Sequence, residues 1–173
     1  MKTNSLPGDY MLRTGNGIDI HRLIEGNGFL LGGVEIEGNY SIEAHSDGDI
    51  LYHAVSDALL GAVSMGDIGE HFPDNSKNTL NMNSEDIFLF CLNEIHKKGY
   101  KIANIDNTIL LQKPKLRPYI LKIRENMAKV SGLDTEQISV KATTTEKLGY
   151  VGESKGIMVY STVLLYKKSI KFR

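Results

Sequence analysis

Alternating apolar and polar positions predict two long strands near opposite ends of the chain. Residues 12–21 alternate strictly, and Asp19 and His21 share one side with Gly15 and Gly17. Residues 156–166 alternate in the same way, so each segment is predicted to turn one face toward a core. Shorter apolar runs predict further strands at 29–31, 34–36, 100–112 and 138–142.

Apolar residues at helical spacing predict three helices. The first begins with Asp49 as its N-cap and ends at Gly66, and the second begins at Ser84. Arg117-Pro118 opens the third, which stops at Gly132. We therefore expect an α+β fold, a single domain with a mixed β-sheet covered by about three helices. This domain is predicted to span residues 11–167, with a disordered leader at 1–10 and a basic tail at 168–173.

Composition excludes several classes of partner. The 173 residues carry 20 Lys and Arg against 21 Asp and Glu, so a net charge of -1 gives no general attraction to nucleic acid. No segment approaches the ~20 apolar residues of a membrane span. The single cysteine, Cys91, lies in an apolar helical run and fits a core position in a reducing compartment. We expect a cytoplasmic protein without nucleic-acid or membrane partners.

The stretch from Ala44 to His53 is rich in polar side chains, and His53 lies on the first predicted helix. Asp19 and His21 emerge from the same strand face, and with His53 they form a candidate three-ligand site for zinc with an open fourth position. The alternative is an exposed strand pair and a separate, hydrogen-bonded histidine. Spacing alone leaves both interpretations open.

Other polar groups also allow two interpretations. The loop at His45 and Ser46 precedes a helix, where free N–H groups bind anions, but Asp47 or Asp49 can cap that helix instead. For Asp57 we favour packing or support of the face that carries His53, since a carboxylate often orients a ligand imidazole, and a solvated aspartate is the alternative.

Two further segments also allow two interpretations. The run Thr143–Lys147 suits phosphate and a cation, or is an edge strand with a surface ion pair. The basic loop 113–117 either contacts a flat ring or is a solvated turn.

Eight ordered motifs resemble the 2-C-methyl-D-erythritol 2,4-cyclodiphosphate synthase family of the non-mevalonate isoprenoid pathway, over about residues 13–166. They are Gly17-Ile18-Asp19-Ile20-His21, Leu31-Gly32-Gly33-Val34, Ala44-His45-Ser46-Asp47-Gly48-Asp49, His53-Ala54, Asp57-Ala58-Leu59-Leu60-Gly61, Gly66-Asp67-Ile68-Gly69, Phe72-Pro73-Asp74 and Lys141-Ala142-Thr143-Thr144-Thr145-Glu146-Lys147-Leu148-Gly149.

This resemblance implies a metal-dependent, cyclising phosphorus–oxygen lyase. Its substrate would be 4-diphosphocytidyl-2-C-methyl-D-erythritol 2-phosphate, closed to a cyclic diphosphate with release of CMP. The resemblance also implies a homotrimer with active sites between neighbouring subunits. It would act in the cytoplasm of a bacterium or the plastid stroma of a eukaryote.

The resemblance also assigns roles to residues of this chain. Zinc would be held by Asp19, His21 and His53, and Mg²⁺ or Mn²⁺ at the diphosphate by Glu146. His45 and Thr144 would stabilise the transition state. The substrate-binding set would be Asp19, Ile20, His21, His45, Ser46, Asp67, Ile68, Gly69, Phe72, Pro73, Asp74, Asn75, Ser76, Leu111, Gln112, Lys113, Pro114, Lys115, Leu116, Arg117, Thr143, Thr144, Thr145, Glu146 and Tyr150.

Three positions depart from the family pattern. Glu153 stands where an arginine associated with diphosphate binding is common, and Lys155 either replaces its charge or faces solvent. Asn16 replaces a histidine or aromatic residue, and Lys113 replaces a small residue in the cytosine loop. Two other functions stay open: a zinc-dependent phosphohydrolase, which would use the same metal to activate water, and, from these departures, a trimer that binds nucleotides or isoprenoid diphosphates without turnover.

Overall fold

A five-stranded mixed sheet forms the centre of the computed structural model, which describes residues 10–44, 46–73 and 82–168. Its strands are β1 (Tyr10–Glu25), β4 (Tyr40–Glu43), β5 (Lys101–Leu110), β6 (Ile138–Thr143) and β7 (Gly156–Lys168). They lie in the order β4-β1-β7-β5-β6, and only the β5–β6 pair is parallel. A separate hairpin joins β2 (Gly28–Leu31) to β3 (Val34–Glu37). The predicted mixed sheet is confirmed.

Long-range pairing makes some strands longer than their sequence pattern predicts. Strand β1 extends to Glu25, beyond the predicted end at His21, because its last four residues pair with β4. Strand β4 was not predicted. Tyr10 and Lys168 pair with each other at the ends of β1 and β7, and the rest of the predicted leader and tail lies outside the described residues.

Three long helices cover the sheet, as predicted: α1 (Ile50–Ala62), α3 (Ser84–Lys97) and α4 (Ile120–Ser131). Two helices of four residues, α2 (Ile68–His71) and α5 (Gly149–Gly152), and a 3-10 turn at Thr135–Gln137 complete the elements. Asp49 is the N-cap of α1, and Gly132 ends α4 in the left-handed region, both as predicted.

Two predicted helix boundaries were wrong. Helix α1 ends at Ala62 rather than Gly66, since Ser64 adopts a positive φ of 57° that breaks the helical path. Helix α4 begins at Ile120 rather than Arg117, because the Leu116 carbonyl first accepts the Tyr119 N–H in a tight turn.

Alternate residues of the long strands join the three helices in one core. In β1 the buried side carries glycines, and an added Cβ at Gly15 or Gly17 would lie 1.9 Å from a carbonyl oxygen of α1. These two glycines let α1 lie directly on β1, which brings His53 of the helix beside Asp19 of the strand. Cys91 is fully buried as predicted, and burial raises the pKa of its thiol to about 12.

Among the residues that the structure describes, no helix covers the opposite side of the sheet at β1. Its large apolar side chains stay exposed, with Ile18 and Ile20 at 52% and Tyr160 at 37%. We call this surface, defined by Ile18, Ile20, Ile24 and Tyr160, the open face. Among the helices in the described part of the chain, none is long and apolar enough to span a membrane.

Candidate active site

Three predicted metal ligands converge where α1 crosses β1. Asp19 Oδ2 lies 3.1 Å from His21 Nε2 and 3.1 Å from His53 Nδ1. The three ligand atoms all lie within 4.8 Å of one another. Asp19 and His21 are half-buried and His53 is 8% exposed, so the cluster opens to solvent on one side only. The structure therefore brings together the set that sequence spacing left undecided.

Hydrogen bonds on the far side of each ring fix which imidazole nitrogen is free. His21 Nδ1 lies 3.2 Å from the Glu43 carbonyl oxygen, which can only accept, so Nδ1 carries the proton. His53 Nε2 lies 2.9 Å from Ser84 Oγ. The hydroxyl hydrogen of Ser84 goes to the Asp47 carboxylate, so His53 Nε2 must donate. Both remaining ring nitrogens therefore turn a lone pair toward Asp19 Oδ2.

A carboxylate oxygen and two imidazole lone pairs facing one point form an electron-rich hollow suited to a cation. One oxygen and two nitrogen ligands match the donor types that zinc prefers. Burial raises the pKa of Asp19, but when both imidazoles are protonated on these nitrogens their hydrogen bonds to Asp19 outweigh burial and hold its pKa below the ordinary value. The same hydrogen bond to Asp19 raises the pKa of His21, with burial opposing it. A bound cation would take the place of these protons.

The N-terminal end of α1 is capped by a side chain of the loop that precedes it. Asp49 accepts the N–H groups of Leu51 and Tyr52 and also those of Gly32 and Gly33, at 2.6–3.3 Å. Upstream, the Asp49 N–H bonds Asp47 and the Gly48 N–H bonds Ser46. Asp49 therefore caps the helix, as the capping interpretation has it, and the N–H groups of residues 48, 49, 51 and 52 already have side-chain partners.

The Asp57 carboxylate supports the segment at Ile68, not the His53 imidazole that we favoured. Its carboxylate accepts the Ile68 N–H at 2.8 Å, and no hydrogen bond joins it to His53. Asp67 caps the same short helix α2 through the Glu70 N–H. Together they hold residues 67–69 in one conformation. Next along the chain, Phe72 packs edge-on against Phe90 with ring centroids 5.0 Å apart.

Ile20 is a predicted substrate-binding residue whose side chain lies on the opposite face of β1 from the side chains of Asp19 and His21. Its N–H donates to Asp19 Oδ1 at 2.8 Å, but its side chain lies on the open face, away from the metal cluster. A strand turns successive side chains to opposite faces. Only the backbone of Ile20 is therefore available to a ligand at the cluster.

The threonine segment leaves the sheet at an edge strand, so part of the structural alternative was correct. Thr143 ends β6, and Thr144 Oγ1 then donates to Glu146 Oε1 at 2.9 Å. Thr145 Oγ1 donates to the Leu148 carbonyl, which closes the turn into α5. Glu146 has a positive φ of 51° and is exposed, while Tyr150 on α5 donates to Met158 Sδ at 3.7 Å. Thr144 and Glu146 thus form one exposed polar pair.

A cavity of about 510 Å³ lies between the basic loop at residues 113–117 and the threonine segment at 143–147. Its walls come from the loop after β5, from α4 and from β6. The lining residues are Leu111, Pro114, Lys115, Leu116, Arg117, Ile120, Leu121, Arg124, Val140, Lys141, Ala142, Thr143 and Thr144. The loop therefore forms one wall of a cavity, while Lys113, Lys115 and Arg117 stay exposed to solvent. Gln112 and Lys113, predicted with this set, are not among the lining residues.

The metal cluster and the cavity lie on the same row of the sheet. Asp19 pairs with Val159, Val159 with Ile109, and Ile109 with Ala142. Asp19 and Ala142 are therefore three strands apart, which is about 14 Å at the usual strand spacing. Within one subunit, the two parts of the predicted site are separated by this distance.

Some predicted residues stay untested by the geometry. His45, Asp74, Asn75 and Ser76 lie outside the described residues. At the departure from the family pattern, Lys155 Nζ lies 2.5 Å from Glu153 Oε2, and both side chains are more than half exposed. Lys155 thus pairs with Glu153 in this subunit.

Sequence reasoning missed two partners of the metal cluster. The Glu43 carbonyl and the Ser84 hydroxyl bond the outer nitrogens of His21 and His53. Glu43 lies on the unpredicted strand β4, and Ser84 is 31 residues from His53. A serine at a helix start is explained by the helix alone, so no local signal pointed to this contact.

The fold and site define an α+β protein with a candidate metal centre at β1 and a cavity at β6, three strands apart in one sheet. The model of the YgbB family matches residues 12–166. A 2-C-methyl-D-erythritol 2,4-cyclodiphosphate synthase of Fusobacterium nucleatum is 52% identical over 159 residues, 91% of this chain and 99% of the relative. The chain therefore belongs to the YgbB family, and within it to the 2-C-methyl-D-erythritol 2,4-cyclodiphosphate synthases.

Solved structures agree with this assignment. The bifunctional IspDF of Campylobacter jejuni superposes with a TM-score of 0.88 at 40% identity, over 92% of this chain and 43% of that longer one. The CDP complex of IspF from Plasmodium falciparum superposes with a TM-score of 0.80 at 39% identity, over 91% of this chain and 97% of that one.

Proposed function

We propose that this synthase closes 4-diphosphocytidyl-2-C-methyl-D-erythritol 2-phosphate to the cyclic diphosphate and releases CMP, as a metal-dependent lyase. The observation that carries the proposal is the convergence of Asp19, His21 and His53 on one point. The CDP bound to the Plasmodium relative supports a cytidyl ligand for this chain as well.

The metal centre would be held by side chains whose unprotonated atoms already face one another. Zinc bound by Asp19, His21 and His53 would neutralise charge on the substrate diphosphate and make its phosphorus more electrophilic. Glu146, exposed beside Thr144, would hold Mg²⁺ or Mn²⁺ at the same diphosphate.

The reaction requires positioning more than proton abstraction. The attacking group is a phosphate oxygen that is already anionic, and the leaving group is CMP, so no strong general base is needed. Thr144 can turn its hydroxyl from Glu146 to a phosphate oxygen, and with His45 it would donate to the charge that develops. Ser46, residues 67–69 and 72–76 would hold the methylerythritol phosphate.

The cavity would hold the cytidine end of the substrate. Its walls are apolar at Leu111, Leu116 and Ile120 and carry polar groups at Thr143 and Thr144. Such a combination, apolar surface with a few directed polar groups, is typical of small-molecule sites. Residues 111–117 would surround cytosine, and Thr143–Glu146 with Tyr150 would contact the cytidyl diphosphate.

The geometry supports a homotrimer with sites between subunits. A diphosphate is too short to contact both the metal cluster and the threonine segment across the ~14 Å that divides them within one subunit. The open face offers Ile18, Ile20 and Ile24 for burial against another copy. An assembly through this face would let the metal cluster of one subunit meet the cavity of its neighbour.

Measuring CMP release before and after chelation tests the metal dependence of this function. Protein treated with a chelator should release no CMP, and zinc together with magnesium should restore the rate. Full CMP release by protein shown to be free of metal would overturn the proposal. Saturating CMP should also raise the unfolding temperature, because a ligand that binds only the folded state stabilises it.

A further inference from the structure

We infer that Ser84 and Asp47 are positioning residues for the zinc ligand His53, acting through a carboxylate–hydroxyl–imidazole relay. The inference rests on the proposed metal site and concerns what holds its third ligand in place. Ser84 lies at the first position of α3, Asp47 in the loop before α1, and His53 within α1. The relay therefore joins three separate segments at the ligand.

The direction of each hydrogen bond follows from what its atoms can do. The Asp47 carboxylate can only accept, and it takes the Ser84 hydroxyl hydrogen on Oδ1 and the Ser84 N–H on Oδ2 at 3.1 Å. With its hydrogen used, Ser84 Oγ offers only a lone pair to His53 Nε2, 2.9 Å away. His53 is thereby held as the tautomer with hydrogen on Nε2, and Nδ1 is left free toward Asp19.

The Ser84–His53 half of this relay is buried, whereas Asp47 is exposed. Ser84 is 0% exposed and His53 is 8% exposed, so water cannot readily replace either partner. Without the hydroxyl, the Nε2 hydrogen would be buried with no acceptor, and the ring would favour the other tautomer or another rotamer. Either change removes the Nδ1 lone pair from the metal position. Partners of this kind typically contribute 10- to 100-fold in metal affinity, by the general estimate for groups behind a metal ligand.

A merely structural role for Ser84 makes a different prediction. Ser84 begins α3, but the cap of that helix is Asn83, whose side chain accepts the Glu85 N–H at 2.9 Å. Asn83→Ala therefore weakens the start of α3 while leaving the relay atoms in place. If Ser84 acted only through the helix, the two variants would change zinc binding alike.

The test is zinc affinity by chelator competition on the purified wild type, Ser84→Ala, Asp47→Asn and Asn83→Ala. Wild type and Asn83→Ala should bind zinc equally, whereas Ser84→Ala should bind about 10- to 100-fold more weakly. Asp47→Asn should fall between them, since an amide is a weaker acceptor than a carboxylate. Equal affinity of Ser84→Ala and wild type, or equal losses in Ser84→Ala and Asn83→Ala, would overturn the relay.

Histidine ¹⁵N NMR of the same proteins provides a measurement that does not depend on the stability of helix α3. The zinc-loaded wild type and Asn83→Ala should both show the Nε2–H proton of His53 protected from exchange, and Ser84→Ala should lose it. The same protection in Ser84→Ala would contradict the relay. A wild type that binds no zinc would instead overturn the proposed metal site, so the two failures are distinguishable.

Discussion

Replacing Gly17 by alanine tests whether the close approach of α1 to β1 builds the metal centre. An added Cβ would lie 1.9 Å from the Ala54 carbonyl oxygen, where real Cβ contacts are essentially never under 3.0 Å. The helix must therefore retreat by at least the 1.1 Å difference between these two distances. The neighbouring atoms are backbone, so no side-chain rotation can relieve the contact.

The displacement is large compared with what a metal site tolerates. Ala54 follows His53 directly, so the shift carries the imidazole away from Asp19, now 3.1 Å distant. Ligand distances in metal sites are held within about 0.2 Å. Overpacking a core of this kind costs about 1–3 kcal/mol. Gly17→Ala should therefore lower the unfolding temperature by several degrees and lose most of the bound zinc.

Gly61→Ala is the matched control, because it makes the same change on the exposed side of α1. Its added Cβ would meet nothing nearer than the Asn16 carbonyl oxygen at 3.9 Å. Alanine in place of an exposed helical glycine stabilises by about 0.5–1 kcal/mol. Thermal unfolding and metal analysis of both variants check the pair. A Gly17→Ala protein with wild-type stability and full zinc would refute the packing argument.

Three further outcomes are expected. His53→Ala should lose zinc and CMP release together, whereas Thr144→Ala should keep zinc and lose rate; metal analysis that finds full zinc in His53→Ala would contradict the ligand assignment. Ile18→Glu should lower the molar mass seen by light scattering, because a charge would be buried in the proposed trimer, while Leu89→Glu on α3 should not. Burial raises the pKa of Asp57. Its protonated form therefore favours folding, so Asp57→Asn should be at least as stable as wild type at pH 7. That advantage should shrink as pH falls through the raised pKa of Asp57 and be gone below the ordinary carboxyl pKa of about 4, and an advantage that grows in acid would refute it.

Local patterns predicted the parts of this molecule that local physics determines. Alternation located β7 and most of β1, and the caps at Asp49 and Gly132 marked helix ends correctly. Strand β4 escaped prediction because its pairing with β1, rather than a pattern of its own, defines it as a strand. Its pairing with β1 depends on the rest of the sheet, and so does the Glu43 carbonyl that orients His21.

In the candidate site, too, sequence motifs predicted some features, and contacts between distant segments determine the others. Family motifs located the three metal ligands, and the structure brings them together. The interpretation of Asp57 was wrong because helical spacing places it one turn from His53 without saying that Ile68 offers a nearer N–H. Ser84 gave no signal, since its contact with His53 joins two helices that only the tertiary fold brings together.

The most direct test of the central claim is phosphorus NMR of the purified protein with the cytidyl-diphosphate substrate, zinc and magnesium. The account predicts that substrate signals disappear while CMP and a cyclic diphosphate appear in equal amounts. CMP with an open-chain bisphosphate would mean that water attacks and the protein is a phosphohydrolase. Unchanged substrate in a zinc-loaded protein would mean binding without turnover, and either result would contradict the account.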